Sequence, residues 1–447
     1  NSTVEELHLL ARVVRGLGSE NIDHRLRYTD FRRSADVSGQ ARQARWLGRS
    51  VASLSTLDAA LVVGSFLRKD HPLLAQRLRQ AARRGAKVMS LHALRDSWLM
   101  PVAQHMVVPP SQWVASLAAI AAAIAQSKGV TAPMAVQADD RAKTIAQGLL
   151  SGQHKAVLLG HAALHHPHAE ELWGIAGWIA AQVDATVGCL GEGANAVGAQ
   201  WVDAMPGTSG MNAAQMVAQP PRAMLLLNVE PGLDVADAGT ARSSFEGCDL
   251  VVALTSFNDA DIPGADVMLP MAAFVETSGT YVNTEGRIQS FQGVVKPRGD
   301  ARPAWKILRV LGNLLELPGF DYESSEAVAR EALQDCGPAR LSNAVATPTS
   351  AVAPRTDLER LACVPIYATD SWVRRAPALQ ATADAKAAVV HVGVDLWGTL
   401  ALRSGDRLRI TQCSGTAELP VALDASLAPK TLRIPAGLPH TGHFTPA

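Results

Sequence analysis

The side chains best placed to do chemistry in this chain of 447 residues crowd into the stretch 276–289, ETSGTYVNTEGRIQ. Thr280, Asn283, Glu285 and Arg287 supply hydrogen-bond donors and acceptors there, and Gly279 and Gly286 allow close backbone approach or positive φ. A short apolar strand, 267–269, stops at Pro270 ahead of them, so 277–287 reads as a polar loop on a sheet edge, turned toward a ligand or a partner. Gly64, Ser65 and Arg68 follow another apolar run, at the kind of strand end where open α/β sheets bind ligands. Gly191, Gly193 and Ala196 match G-x-G-x-x-A, with Glu192 and Asn195 between them, a loop type whose backbone N–H groups cradle phosphate. No helix of clear amphipathic spacing is expected after it, and no carboxylate stands where a ribose would need one. A structural turn is therefore favoured over an NAD site.

Metal and nucleophile chemistry finds less support. His161, His165, His166 and His168 form a cluster, yet no carboxylate or thiol joins them at regular ligand spacing before Glu170. With Pro167 expected to open a helix, helix capping and solvated imidazoles explain them, and His440 and His443 are read the same way. Asp259, Asp261 and Gly264 have some of the spacing of a calcium loop, but Pro263 intervenes and the bidentate Glu is missing. Cys189, Cys248, Cys336, Cys363 and Cys413 lie far apart with no C-x-x-C, which argues against an iron–sulfur cluster or zinc site and for reduced, mostly buried thiols. No nucleophile elbow, P-loop or Cys–His pairing is present, so neither a catalytic residue nor a metal site is assigned from the residues.

The elements that must position these groups alternate between strand and helix. Ser2 or Thr3, with Glu5 or Glu6 three residues on, opens a helix through Leu7, Leu10, Val13 and Val14 that ends at Gly16 and Gly18. Strand 58–63, helix 72–84 and strand 87–91 make a βαβ unit; strand 156–159, helix 167–183 and strand 185–190 repeat it, and strands 223–227 and 249–254 continue it. The run 113–125 reads as a buried helix, too short for the roughly 20 residues that span a bilayer. From Trp305 the pattern turns helical until Pro318, Arg302 and Trp305 docking that helix, and a second helix covers 325–333. The Pro-, Ser-, Thr- and Ala-rich stretch 337–355 reads as a linker. Strands 387–392, 407–412, 416–421 and 431–434 then form a small β-rich domain, Ser414-Gly415 marking one of its turns.

Composition sets the outer limits. Lys+Arg and Asp+Glu both number 41, which gives no electrostatic case for nucleic acid. Only 18% of residues are charged and 48% are hydrophobic, a balance that suits burial against partners. The chain opens on Asn1, Ser2, Thr3 and then acidic residues, with neither a basic-apolar leader nor an initiator Met, so it reads as a piece of a longer protein.

The order E-x-x-G-T-x-x-N-x-E-G-R-x-Q over 276–289 resembles a loop of the molybdopterin oxidoreductase superfamily. Within it the chain looks most like the large iron–sulfur subunit of bacterial NADH:quinone oxidoreductase (respiratory complex I), on 1–27, 62–88 and 266–308. The resemblance implies an α/β fold of two interleaved, doubly wound, mostly parallel-sheet lobes with a small β-rich C-terminal domain. By it, 1–54 and 216–336 form the outer lobe, 55–215 an inserted lobe, 337–356 a linker and 357–447 the β-rich domain. It also implies iron–sulfur clusters in a module upstream of this chain, complex I peripheral-arm partners including the NADH-binding flavin subunit, and a peripheral place on the cytoplasmic side of the inner membrane. Where relatives often read G-S-N-P, this chain has Gly64, Ser65, Phe66 and Leu67; where they read G-x-N-P, it has Asn228, Val229, Glu230 and Pro231, putting a carboxylate where a phosphate would sit. Both departures favour a cofactor-free scaffold in which Gly64, Ser65, Arg68, Glu192, Gly193, Asn195, Thr280, Asn283, Glu285 and Arg287 are vestiges of a pterin pocket. The alternative is a catalytic domain that still binds molybdopterin guanine dinucleotide through Gly64, Ser65, Asn195, Thr280, Asn283 and Arg287.

Overall fold

The computed structural model describes residues 2–32, 43–350, 352–385, 388–413 and 415–445. Asn1, Ala387 and Ser414 lie outside them, as do 33–42 and 351.

Continuous apolar runs of β-branched and aliphatic residues make strands buried on both faces, and the first sheet follows from them. It contains β1 (Ala59–Val63), β2 (Lys87–His92), β3 (Gln104–Val107), β4 (Lys155–Leu159) and β5 (Thr186–Cys189), all parallel in the order β3-β2-β1-β4-β5. Every residue of β1 and β4 is buried. On one face, helices Trp113–Lys128, Asp140–Leu150 and Ala169–Val183 bring the fully buried Trp113 and Trp173 into the core; helix Pro72–Arg83 covers the other. Sequence pattern missed two of these elements. β3 is a four-residue edge strand with one buried side chain, and helix Asp140–Leu150 is announced only by Asp139, whose carboxylate accepts from Ala142 N at 2.7 Å. Helix Ala169–Val183 starts two residues later than expected, leaving Pro167 in the preceding turn.

The second sheet, β6 (Ala223–Leu227), β7 (Leu250–Thr255) and β8 (Val267–Pro270), is also parallel. Helix Val4–Gly16 packs beside it with helices Ala304–Leu314 and Ser325–Leu333, around Trp201, Trp305 and Phe320. Of the two possible caps, Thr3 is the one used: its hydroxyl accepts from Glu6 N at 3.3 Å and Glu6 Oε2 accepts from Thr3 N at 2.8 Å. The expected polar loop 277–287 is largely an antiparallel hairpin, β9 (Gly279–Val282) with β10 (Ile288–Phe291). Its turn is shaped by Asn283, whose Oδ1 accepts from the N–H groups of Glu285 and Arg287, and by Gly286 at φ 81°.

The last sheet mixes directions in the order β11-β15-β12-β14-β13: β11 (Glu359–Cys363), β12 (Val390–Val392), β13 (Arg407–Gln412), β14 (Gly415–Leu423) and β15 (Thr431–Pro435). β11 has no counterpart among the expected strands. The stretch 337–355 does not behave as a free linker either. Asn343 accepts from Trp46 N, donates to Val187 O and Trp46 O, and takes the Trp173 indole N–H on its own carbonyl at 2.9 Å, so composition misled where side-chain hydrogen bonds dock the chain. None of the five cysteines forms a disulfide, but only Cys189 is buried and Cys413 is exposed, so the expectation of mostly buried thiols does not hold.

Candidate functional site

Parallel sheets send their carboxyl ends and the loops after them to one edge, and here those loops meet the second sheet, helix Val4–Gly16 and β11 around a cavity of about 1320 Å3. One side of it is apolar, with Leu10, Val14, Leu225 and Leu315 among the lining. The other carries Asp70, His71, His161, His165 and Glu192, from the loops that follow β1, β4 and β5.

Glu192 is the central charge of that polar side. Its Oε1 lies 2.8 Å from His165 Nε2. Burial pushes the carboxyl up, but His165, His161 and Arg27 more than offset this and hold it down at about 2. His165 also stands edge-on to Tyr28, 5.6 Å between ring centres. The expectation of solvated imidazoles fails for His166, which is 6% exposed and stacks on Trp113 at 5.5 Å. Its Nε2 donates to Pro110 O at 3.0 Å, its Nδ1 accepts from His168 N at 3.0 Å, and burial lowers it to about 4. It is a structural, neutral ring. His443 likewise packs on Phe444, 5.1 Å between centres. Asp259 and Asp261 are held in ion pairs with Arg375 and Arg242.

Of the ten pterin-pocket candidates, the structure brings Glu192, Gly193, Asn195 and Asn283 to the cavity wall. Asn195 is occupied there as a tie: its Nδ2 donates to Ser2 O at 3.0 Å and its Oδ1 accepts from Val282 N at 2.9 Å. Contrary to expectation a helix does follow the G-x-G-x-x-A loop, but it is the six-residue Ala196–Trp201. Gly64 and Ser65 do not reach the cavity. Ser65 is 1% exposed, and a Cβ on Gly64 would stand 2.6 Å from Ala163 N, so that strand end is closed by protein. Arg68 turns away to Ser97 O at 3.0 Å. Thr280 is buried and its N–H donates to Glu5 Oε2 at 2.9 Å; Glu285 accepts from Val51 N at 2.6 Å and pairs with the exposed Arg287 at 2.9 Å. With Thr284 donating to Cys189 O, the hairpin tip fastens onto the first sheet instead of offering a polar edge.

Glu230 stands out in the sequence, but the arginines that neutralise it do not. Glu230, 2% exposed at its side chain, accepts from Arg374 and Arg375 at 2.6 Å each, and Arg374 also binds Asp234 at 2.9 Å. Asp234 takes a further contact from Arg27 at 3.2 Å. Burial pushes the Glu230 carboxyl up, and the two guanidinium groups pull it below its ordinary value. Both arginines arrive after β11, on a segment with no motif of its own. The paired carboxylates at 230 and 234 were the only available signal.

A model of the molybdopterin oxidoreductase family matches residues 1–314. The Bacillus subtilis (strain 168) protein titled "Probable oxidoreductase YjgC" is 24% identical over 397 residues, 74% of this chain and 40% of that protein. A Staphylococcus aureus (strain bovine RF122 / ET3-1) protein titled "Putative formate dehydrogenase" is 33% identical over 99 residues, 22% of this chain and 10% of its own length. The chain thus spans well under half of these relatives. Acetylene hydratase from Pelobacter acetylenicus has the same fold, with a TM-score of 0.59 at 15% identity over 97% of this chain and 75% of that one. With parallel-sheet cores, a small mixed sheet and a family match over more than two thirds of its length, this chain belongs to the molybdopterin oxidoreductase family.

Proposed function

We propose that this chain is the structural, cofactor-free region of the large iron–sulfur subunit of a bacterial NADH:quinone oxidoreductase, on the cytoplasmic side of the inner membrane. Its task is to brace the cluster-bearing part of that subunit against neighbours such as the NADH-binding flavin subunit, because electron transfer between clusters needs fixed spacing. The observation that carries this reading is the buried Glu230–Asp234–Arg374–Arg375 cluster. A pterin dinucleotide needs free cationic or N–H donors for its phosphates at the strand ends. At the second-sheet strand end the arginines are spent on carboxylates of the chain itself, and at the end of β1 the backbone is sealed beneath Ala163 and Trp113. The half-buried, anionic Glu192 in the cavity wall would also repel a phosphate. These donors do not fit the dinucleotide, and no catalytic step is assigned to it.

The test is metal and pterin analysis of the full-length protein purified from its native host, together with identification of what co-purifies. Substoichiometric molybdenum and tungsten with recovery of a flavin-bearing NADH-oxidising subunit is the expected result. Stoichiometric metal and pterin would overturn it in favour of a molybdopterin-dependent oxidoreductase.

A further inference from the structure

β1 and β4 are neighbours at the place where strand order reverses, β2 and β3 lying to one side and β5 to the other. Open α/β sheets bind ligands at such a switch point, where the loops after the two strands diverge and leave a crevice. The loop after β1 brings Asp70 and His71 there, and the chain leaving β4 brings His161. One donor atom from each of the three lies within 4.8 Å of the other two.

His161 Nε2 is 2.7 Å from Gly191 O and must be the donor, since a carbonyl only accepts. With Nε2 as the donor, Nδ1 is the nitrogen turned toward the carboxylate, 3.7 Å from Asp70 Oδ2. His71 is 7% exposed and its Nε2 is buried without a hydrogen-bond partner. A buried polar atom with no partner is costly, and a cation shared by these nitrogens and the carboxylate would relieve that cost.

We infer that Asp70, His71 and His161 form a binding site for a divalent transition-metal ion, held by two imidazole nitrogens and one carboxylate oxygen. Calcium and magnesium prefer all-oxygen sets, whereas this set suits borderline ions such as Zn2+ and Fe2+. Ligand bonds of about 2.1 Å put tetrahedral donors about 3.4 Å apart, so modest side-chain rotation closes the site. The Gly191 carbonyl fixes the His161 tautomer in the way outer partners usually orient a metal-bound imidazole. All three residues line the cavity, so the ion's remaining positions open into it, toward water or a small ligand. The site does not depend on whether a pterin binds elsewhere in the cavity.

The experiment titrates the metal-free, tag-free protein with Co2+, read by its visible ligand-field bands, and then displaces it with Zn2+. One equivalent of saturable Co2+ that Zn2+ bleaches is expected. His71→Gln, His161→Gln and Asp70→Asn should each weaken binding at least about 100-fold, more than loss of an outer partner usually costs. His440→Gln with His443→Gln should leave it unchanged. Near-ultraviolet circular dichroism checks that each variant is folded, and the near-isosteric Asp70→Asn carries the test if a histidine variant is not. Absence of saturable binding in the wild type, or binding that survives all three substitutions, would overturn the assignment.

Discussion

Replacing Arg374 by Ala removes the hub of the buried charge cluster. Four contacts to carboxylate oxygens vanish, two to Glu230 at 2.9 and 2.6 Å and two to Asp234 at 2.9 and 3.1 Å, along with one to Ala368 O. Breaking a buried ion pair by deleting one partner costs about 3–5 kcal/mol, because the survivor stays buried and unneutralised. Here Arg375 still reaches Glu230 at 2.6 Å and Arg27 still reaches Asp234 at 3.2 Å, which lowers the expectation to about 2–4 kcal/mol. For a cooperative unit of 150–250 residues this corresponds to a fall of roughly 5–15 °C in the transition that contains the second sheet. Scanning calorimetry of wild type, Arg374→Ala, Glu230→Gln and the double variant measures both the loss and the coupling, expected above about 1 kcal/mol. The pH dependence has a definite sign. Glu230 has a folded pKa below its unfolded value of 4.5, so its contribution is complete above that pH and disappears as pH falls through the lower folded value. The Arg374→Ala deficit should therefore shrink in acid. A loss under about 0.5 kcal/mol, or additive single variants, would refute the view that this cluster is a coupled structural lock.

Glu6 provides the opposite sign: it is buried in the cap of helix Val4–Gly16, and burial raises its carboxyl from 4.5 to about 6. Its stabilising share is complete below 4.5 and lost as pH rises through 6, so wild type should lose on the order of 2 kcal/mol relative to Glu6→Gln between pH 4.5 and 7.5 in denaturant titrations. Asn195→Ala should lower stability by about 1–3 kcal/mol, since it strands Ser2 O and Val282 N; a thermal shift of that size, with no change in the metal titration, is expected.

What the sequence determined by itself is local. Apolar runs bounded by turn residues placed β1, β2, β4, β6 and β7, and Thr3 with Glu6 marked the start of the first helix, because strand burial and capping depend on neighbours a few positions away. The recurrence of strand and helix was enough for a parallel α/β fold. Tertiary structure decided which polar groups meet. Glu230 and Arg374 are 144 residues apart, and nothing in either neighbourhood announces the other. The G-T-x-x-N-x-E-G-R stretch looked like a ligand edge because its side chains can bond to anything; only the position of the first sheet made Val51 and Cys189 their partners. His161 was read with its chain neighbours, whereas the strand order sets it beside Asp70 and His71. Chemistry at a strand end depends on which strands become neighbours, and that is fixed by long-range packing, which local spacing does not encode.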